Sequence, residues 1–366
     1  MPNSAVRTER VAHAPASMVA TAVQSAPGRR EVVVKSRSKL VAAVVLAIIA
    51  VLSGLPAQAQ QRDKTVLLLN FYLYSEHAPF FLGKERGYFA EQGIDLDIQE
   101  GRGSGPTVQA VAAGTATFGY ADFGTIVKAA AQGAPVVTIG VLLQKSPMAV
   151  IGLAERNVKK PADLKGKTVA LTPGDSLSQI WPLFLRKTGL NDADVKIVSG
   201  DIQTKLNAVI NGQADFMLGY LMDQSMRIEN ATKKPTTVIP FSDYGVNLIA
   251  TSILVSKDTI ATKADLVRRF MAAATRSVED AEKDPAAAVD AMLKVNAKAG
   301  ERAALIKGLE LTVPLYHTDD TKNLRPFRVS PQNVKDSVAM LGEYGGLDKN
   351  AAAKPESFYS LDFLPK

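Results

Sequence analysis

The chain of 366 residues contains no cysteine, a single tryptophan and three histidines. Without cysteine there can be no disulfide, no thiolate-bound metal or cluster, no cysteine nucleophile and no lipid-anchored N-terminal cysteine. His13 falls in the leader described below, so only His77 and His317 are left for chemistry, far apart in sequence. No HExxH helix, GxSxG elbow or Walker loop is present, so hydrolases and nucleotide-driven enzymes lack their usual groups. Long apolar runs are scarce as well. The one segment of that kind, LVAAVVLAIIAVLSGL from Leu40 to Leu55, is short for a bilayer span, which needs about 20 residues. It follows Lys35, Arg37 and Lys39 and precedes Ala57-Gln58-Ala59, the small-residue pattern of a cleaved secretory signal. A signal peptide is therefore expected over 35–59, cut after Ala59, which releases a soluble product outside the inner membrane. Residues 1–34 are rich in Ala, Val, Ser and Arg and have no helical period. They are expected to be disordered or untranslated, with synthesis starting near Val34 or Lys35.

A large excess of one charge sign is also missing once the leader is removed. The formal charge of +7 comes from 43 basic and 36 acidic residues, but the first 59 residues hold seven of the former and two of the latter. The remainder is close to neutral and carries no electrostatic footprint for nucleic acid. What is present is 46% hydrophobic residues against 22% charged, enough for two domains with real cores.

Apolar runs of strand length alternate with amphipathic stretches, which reads as βαβ units around parallel sheets. Strands are predicted at Lys64–Tyr72, Ile94–Gly101, Thr115–Ala121 and Pro135–Gln144, with a helix over Pro106–Ala113. The pattern restarts with strands at Lys167–Leu171, Ala193–Gly200 and Ala214–Gly219, and with helices from Ser176 and over Thr204–Asn211. The extended segments Met148–Glu155 and Val246–Asp258 are read as two crossings that form a hinge. Lobe 1 is thus expected at 60–152 and 251–366, and lobe 2 at 153–250. After Asp258, Leu266, Phe270, Met271 and Ala274 fall at helical spacing and are expected to pack on the first lobe.

The two lobes share a phrase. VQAVAAGTATFGYADFGT from Val108 and LNAVINGQADFMLGYLMD from Leu206 align at a constant offset, matching Ala110 with Ala208, Val111 with Val209, Gly114 with Gly212, Ala116 with Ala214 and Phe118 with Phe216. Each copy reads as a helix, a glycine cap and a short strand. In open α/β sheets ligands sit at the carboxyl ends of strands, so both copies would deliver polar residues to one crevice.

The segments His77–Ile98, Gly101–Gly124, Gln144–Leu153, Lys160–Leu171 and Ser242–Leu248 resemble, in order and spacing, the substrate-binding proteins of ABC importers of the nitrate, sulfonate and taurine group, which includes binders of thiamine-pyrimidine precursors. The similarity runs from about Thr65 to Lys257. It implies the type II periplasmic binding protein fold, an α/β architecture of two doubly wound lobes joined by a two-strand hinge. It also implies a periplasmic location, a small-molecule ligand, an ABC permease as partner, a monomer, and neither cofactor nor metal. The pyrimidine synthases of fungi share the fold, but their chemistry is associated with a cysteine-rich motif that this chain lacks, so no catalysis is expected. A receptor feeding a sensor kinase or a tripartite transporter is compatible with the same pocket.

Candidate ligand contacts follow from residue chemistry on that frame. Phe71, Tyr72 and Tyr74 in the loop after the first strand suit stacking on a flat ligand, with Glu76 and His77 as hydrogen-bonding groups; core packing is the ordinary alternative for Phe71. Gly103, Ser104 and Gly105 precede a helix whose positive end favours an anionic or carbonyl group, and Ser104 and Thr107 offer hydroxyls. Asp122 and Phe123 follow the third strand; Asp175, Asp223 and Asp243 hold comparable places, although helix capping explains such residues equally well. Together these carboxylates disfavour a small dianion and suit an amino-bearing planar heterocycle. Lys145 and Ser146 argue the other way, for a carboxylate or sulfonate. Trp181 is expected in the core or as an aromatic lid, with Tyr220 and Tyr244 closing over the ligand.

Overall fold

The computed structural model describes residues 62–366, so the leader, its cleavage site and residues 1–34 lie outside the described part. β1 (Asp63–Leu68) leads through a short 3-10 turn, Ser75–His77, into α1 (Ala78–Glu85), α2 (Tyr88–Glu91) and β2 (Ile94–Gln99). α3 (Ser104–Ala112), β3 (Phe118–Asp122), α4 (Phe123–Ala131) and β4 (Val136–Val141) follow. The second sheet is built from β5 (Met148–Leu153), β6 (Thr168–Leu171), α5 (Ser176–Lys187), β7 (Lys196–Ser199), α6 (Ile202–Ile210), β8 (Phe216–Tyr220), α7 (Gln224–Thr232) and β9 (Thr236–Pro240). The chain returns as β10 (Thr251–Ser256) and ends in α8 (Lys257–Lys283), α9 (Pro285–Val295), α10 (Arg302–Thr312), α11 (Pro331–Glu343) and α12 (Lys349–Ala352).

The strand orders are β2-β1-β3-β10-β4 and β7-β6-β8-β5-β9. β1 pairs in parallel with β2 and β3, and β6 with β7 and β8. β10 runs antiparallel to β3 and β4, and β5 antiparallel to β8 and β9. Each sheet is therefore mixed, not parallel throughout. This also corrects the first lobe boundary: Met148–Leu153, read as the crossing itself with lobe 1 running to 152, is wholly a strand of the second sheet. β5 and β10 are the first strands after the chain changes lobe, so they enter from the hinge side and run against their neighbours. The crossings are the segments 142–147 and 241–250. They are tied to each other by Leu142 N–H to Thr251 C=O, 2.9 Å, and Ala250 N–H to Leu143 C=O, 2.9 Å.

β3, β4, β5, β8 and β10 are buried along their whole length, as expected of strands covered on both faces, which read as continuous apolar runs. α8 fastens the first sheet: Leu266, Phe270, Met271 and Ala274 are all buried, and Phe270 stacks on Phe118 of β3 with ring centres 3.8 Å apart. The repeated phrase is one geometry used twice. Gly114 and Gly212 have φ of 73° and 72°, a left-handed turn that glycine takes without steric cost. Gly114 N–H donates to Val111 and Gly212 N–H to Val209, each at 3.1 Å.

Candidate ligand-binding cleft between the lobes

The carboxyl ends of β1, β3, β6 and β8 converge on one interior volume. β1 contributes the loop Asn70–His77, which leads into α1, where Pro79 stands in the first turn and favours the helical start. β3 contributes Asp122, which caps α4 by accepting from Thr125 N–H. After β6, Asp175 caps α5 in the same way, accepting from Ser178 N–H at 2.7 Å. β8 ends in Tyr220. The cavity between them is lined by Phe71, Tyr74, Ser104, Asp175, Lys205 and Tyr220, among others, and holds about 20 Å³. That is room for about one water, whereas usual small-molecule sites hold roughly 300 Å³ or more. Entry of a ligand therefore needs the lobes to move apart.

Its walls combine aromatic rings with buried charge. Tyr74 of lobe 1 meets Tyr220 of lobe 2 edge to face, with ring centres 6.3 Å apart, and Tyr220 Oη lies 3.2 Å from Ser176 Oγ. Behind Tyr74, the fully buried Glu76 carboxyl accepts from Tyr74 Oη at 2.8 Å, and from Tyr120 Oη and Thr251 Oγ1. Burial pushes Glu76 above the usual carboxylate range, against those three bonds. Asp122, whose N–H donates to Ser104 Oγ at 3.1 Å, is pushed by burial up to about 7. Its Oδ2 has no hydrogen-bond partner among the described residues. His77 faces the Tyr74 ring at 4.3 Å and is held by Asn70 Oδ1, 2.9 Å from Nε2. Burial lowers it to about 3, so it is neutral across the physiological range. On the other lobe Lys205 and Asp175 form an ion pair at 3.0 Å, both side chains almost completely buried.

The lobes are latched beside the cavity. Tyr72 Oη donates to Asp223 Oδ2 at 2.7 Å and accepts from Gln224 Nε2 at 2.9 Å. Arg227 is paired with Asp223 at 2.7 Å, lies over the Tyr72 ring at 4.6 Å and donates to Ala299 C=O at 3.0 Å. Gly105 N–H reaches Gly174 C=O across the interface at 3.3 Å.

Among the residues expected from sequence, Phe71, Tyr74, Gly103, Ser104, Asp175 and Tyr220 line the cavity. Asp122 stands directly behind Ser104, and Tyr72, His77 and Gly105 adjoin it as described. Others are placed elsewhere. Thr107 Oγ1 donates to Leu69 C=O and Gly103 C=O, which keeps it inside its own lobe. Phe123 is fully buried in the core. Lys145 is exposed and reaches only toward Pro314 C=O at 3.5 Å; Ser146 Oγ accepts from Met148 N–H at the crossing. Asp243 is exposed, and Tyr244 packs edge-on against Phe184. Trp181 stacks on Phe184 within the lobe 2 core, not as a lid. Lys205, Asn70, Ser176, Leu177 and Gln224 line the cavity without having been singled out from sequence; Lys205 in particular reads there as one charge on an amphipathic helix.

A larger groove of about 650 Å³ opens beside the latch, with Tyr72, Arg102, Thr172, Asp201, Arg227 and Lys298 on its walls. It offers one aromatic ring against three in the smaller cavity, so the smaller volume is the better candidate despite its size. Among the described residues no group of three or more His, Asp or Glu is placed to hold a metal, and no helix is long and apolar enough to cross a membrane.

Two mixed α/β sheets of this order, joined by paired crossings and facing each other over a polar, aromatic cleft, define a two-lobed protein of the periplasmic binding protein fold. The family model described as NMT1/THI5 like matches residues 74–288, more than half of the chain, and the protein belongs to that family. It is 25% identical over 272 residues, 71% of this chain and 74% of the relative, to the riboflavin-binding protein RibY of Chloroflexus aurantiacus. It is 24% identical over 230 residues, 62% of this chain and 69% of the relative, to a formylaminopyrimidine-binding protein of Halalkalibacterium halodurans. A 4-amino-5-hydroxymethyl-2-methylpyrimidine phosphate synthase of Legionella pneumophila is 22% identical over 290 residues, 79% of this chain and 87% of that one. Among solved structures, the alkanesulfonate-binding protein SsuA of Xanthomonas axonopodis pv. citri superposes with a TM-score of 0.63 at 17% identity, covering 81% of this chain and 98% of that one.

Proposed function

We propose that this protein is the extracytoplasmic solute-binding component of an ABC importer, and that it captures a small planar heterocycle bearing an amino group. The mechanism is capture without chemistry: the ligand enters between parted lobes, contacts from both sides stabilise the closed form, and the permease recognises closure. The observation that carries this reading is that the Phe71, Tyr74 and Tyr220 rings line the cavity, with the buried carboxyl groups of Glu76 and Asp122 directly behind Tyr74 and Ser104. A flat ring with an N–H edge satisfies both: it stacks on the aromatics and donates to the unpartnered Asp122 Oδ2. A small dianion would meet these carboxyl groups, with the one buried lysine of the cavity already paired to Asp175. The Lys145 side chain, which favoured an oxyanion in the sequence, lies outside the cavity. Two relatives, named for binding riboflavin and a formylaminopyrimidine, support a heterocycle.

Other relatives are named as pyrimidine phosphate synthases, which makes an enzyme of the same fold the second reading. The cysteine-free sequence speaks against it. Thermal-shift measurements on the purified protein against pyrimidines, flavins, sulfonates and aromatic carboxylates test the proposal. A rise in melting temperature with an amino-bearing heterocycle, with the compound recovered chemically unchanged, is the expected outcome. Stabilisation by sulfonates alone would overturn the heterocycle, and conversion of the bound compound would overturn the binder.

A further inference from the structure

Lys205 is a lysine buried to 1% exposure at the wall of the cleft, and burying an ammonium group is costly unless its donors are met. It projects from α6 toward Asp175, its Nζ 3.0 Å from Asp175 Oδ2 and 5.3 Å from the centre of the Phe71 ring of the opposite lobe. An ammonium group has three donors, and this is its one hydrogen bond among the described residues. Asp175 is engaged at both oxygens: Oδ1 accepts from Ser178 N–H while Oδ2 takes the lysine. The pair is charge-neutral and leaves unused donors on a residue that lines the cavity. Lobe 1 presents the complementary feature, a carboxyl oxygen without a hydrogen-bond partner at Asp122 Oδ2, which accepts when the carboxyl is ionised.

From this opposition we infer that Lys205 is a specificity-determining residue, which donates to a carbonyl oxygen on the ring edge remote from the amino group. The inference rests on the heterocycle reading above and narrows it: the ligand carries an amino donor for lobe 1 and a ring carbonyl for lobe 2. A neutral carbonyl fits better than a full anion, since the Lys205 charge is already balanced by Asp175 and two further carboxyl groups stand nearby. A ligand with both edges bridges the lobes, so its second hydrogen bond forms only on closure and favours the closed form.

Calorimetric titration with 4-aminopyrimidine and with cytosine, which adds the ring carbonyl, tests this. The unmodified protein should bind cytosine at least about tenfold tighter, the worth of one hydrogen bond from a charged donor. Because removal of the lysine alone strands a buried Asp175, the decisive variant is Lys205→Met combined with Asp175→Asn, in which asparagine keeps the helix cap. That variant should lose the preference and bind the two compounds about equally. A preference that persists in the variant, or one that is missing from the unmodified protein while both compounds bind, overturns the role of Lys205 and leaves the heterocycle reading standing. Failure of both compounds to bind the unmodified protein overturns the two together.

Discussion

Asp122 holds its proton between two opposed effects. As the cap of α4 it accepts backbone N–H bonds that favour the carboxylate, while complete burial favours the neutral acid and prevails, leaving it at about 7. A carboxyl raised above its unfolded value near 4 stabilises the fold fully below that value, and the contribution is lost as pH rises through about 7. The shift corresponds to something on the order of 4 kcal/mol. His77 acts in the other direction: lowered to about 3, it contributes stability above its unfolded value near 6.5, which is lost as pH falls toward 3. The comparison of the protein with Asp122→Asn therefore isolates the carboxyl. In thermal unfolding at pH 5 and pH 8 the variant should gain relative to the unmodified protein at pH 8 and not at pH 5, and equal differences at both would exclude the shift. Asp122 was legible in the sequence because it follows a strand and opens a helix. Lys205 was not: a lysine next to Leu206 on an amphipathic helix looks like an ordinary flank, and only the return of the second sheet sets it against Asp175. Tyr244 misled for the converse reason, and Trp181 stayed open between core and lid, since an aromatic side chain has the same sequence appearance whether it lids a cleft or packs around Phe184.

Helix, glycine and strand recur as one element in both lobes, and the glycine is the part with an energetic signature. An added Cβ at Gly114 would meet no atom within 4 Å, so any cost of Gly114→Ala comes from its φ of 73° alone. That cost should be about 1 kcal/mol, with Gly114→Asn smaller because asparagine tolerates the left-handed region. Urea unfolding checks both, and an unchanged midpoint for Gly114→Ala would mean that the turn relaxes. Strand and helix positions were readable at this scale because burial on both faces demands continuous apolar runs and amphipathic helices demand spacing. Strand direction was not. The residues of β5 satisfy a crossing and a buried central strand equally well, and what makes it antiparallel is the route of the chain between sheets.

For the whole molecule, the cavity of about 20 Å³ and the latch of Tyr72, Asp223, Gln224 and Arg227 describe lobes in contact, so binding must couple to their separation and closure. The family resemblance located this architecture, while the chemistry of the walls depends on side chains from four strand ends that no local pattern brings together. The most direct measurement is a crystal structure of the protein with the compound that raises its melting temperature most. The compound should lie between Phe71 and Tyr74 on one side and Tyr220 on the other, with polar contacts from both lobes. Finding it in the outer groove beside Arg102 and Lys298, or on one lobe alone with the cleft unchanged, would contradict capture by closure.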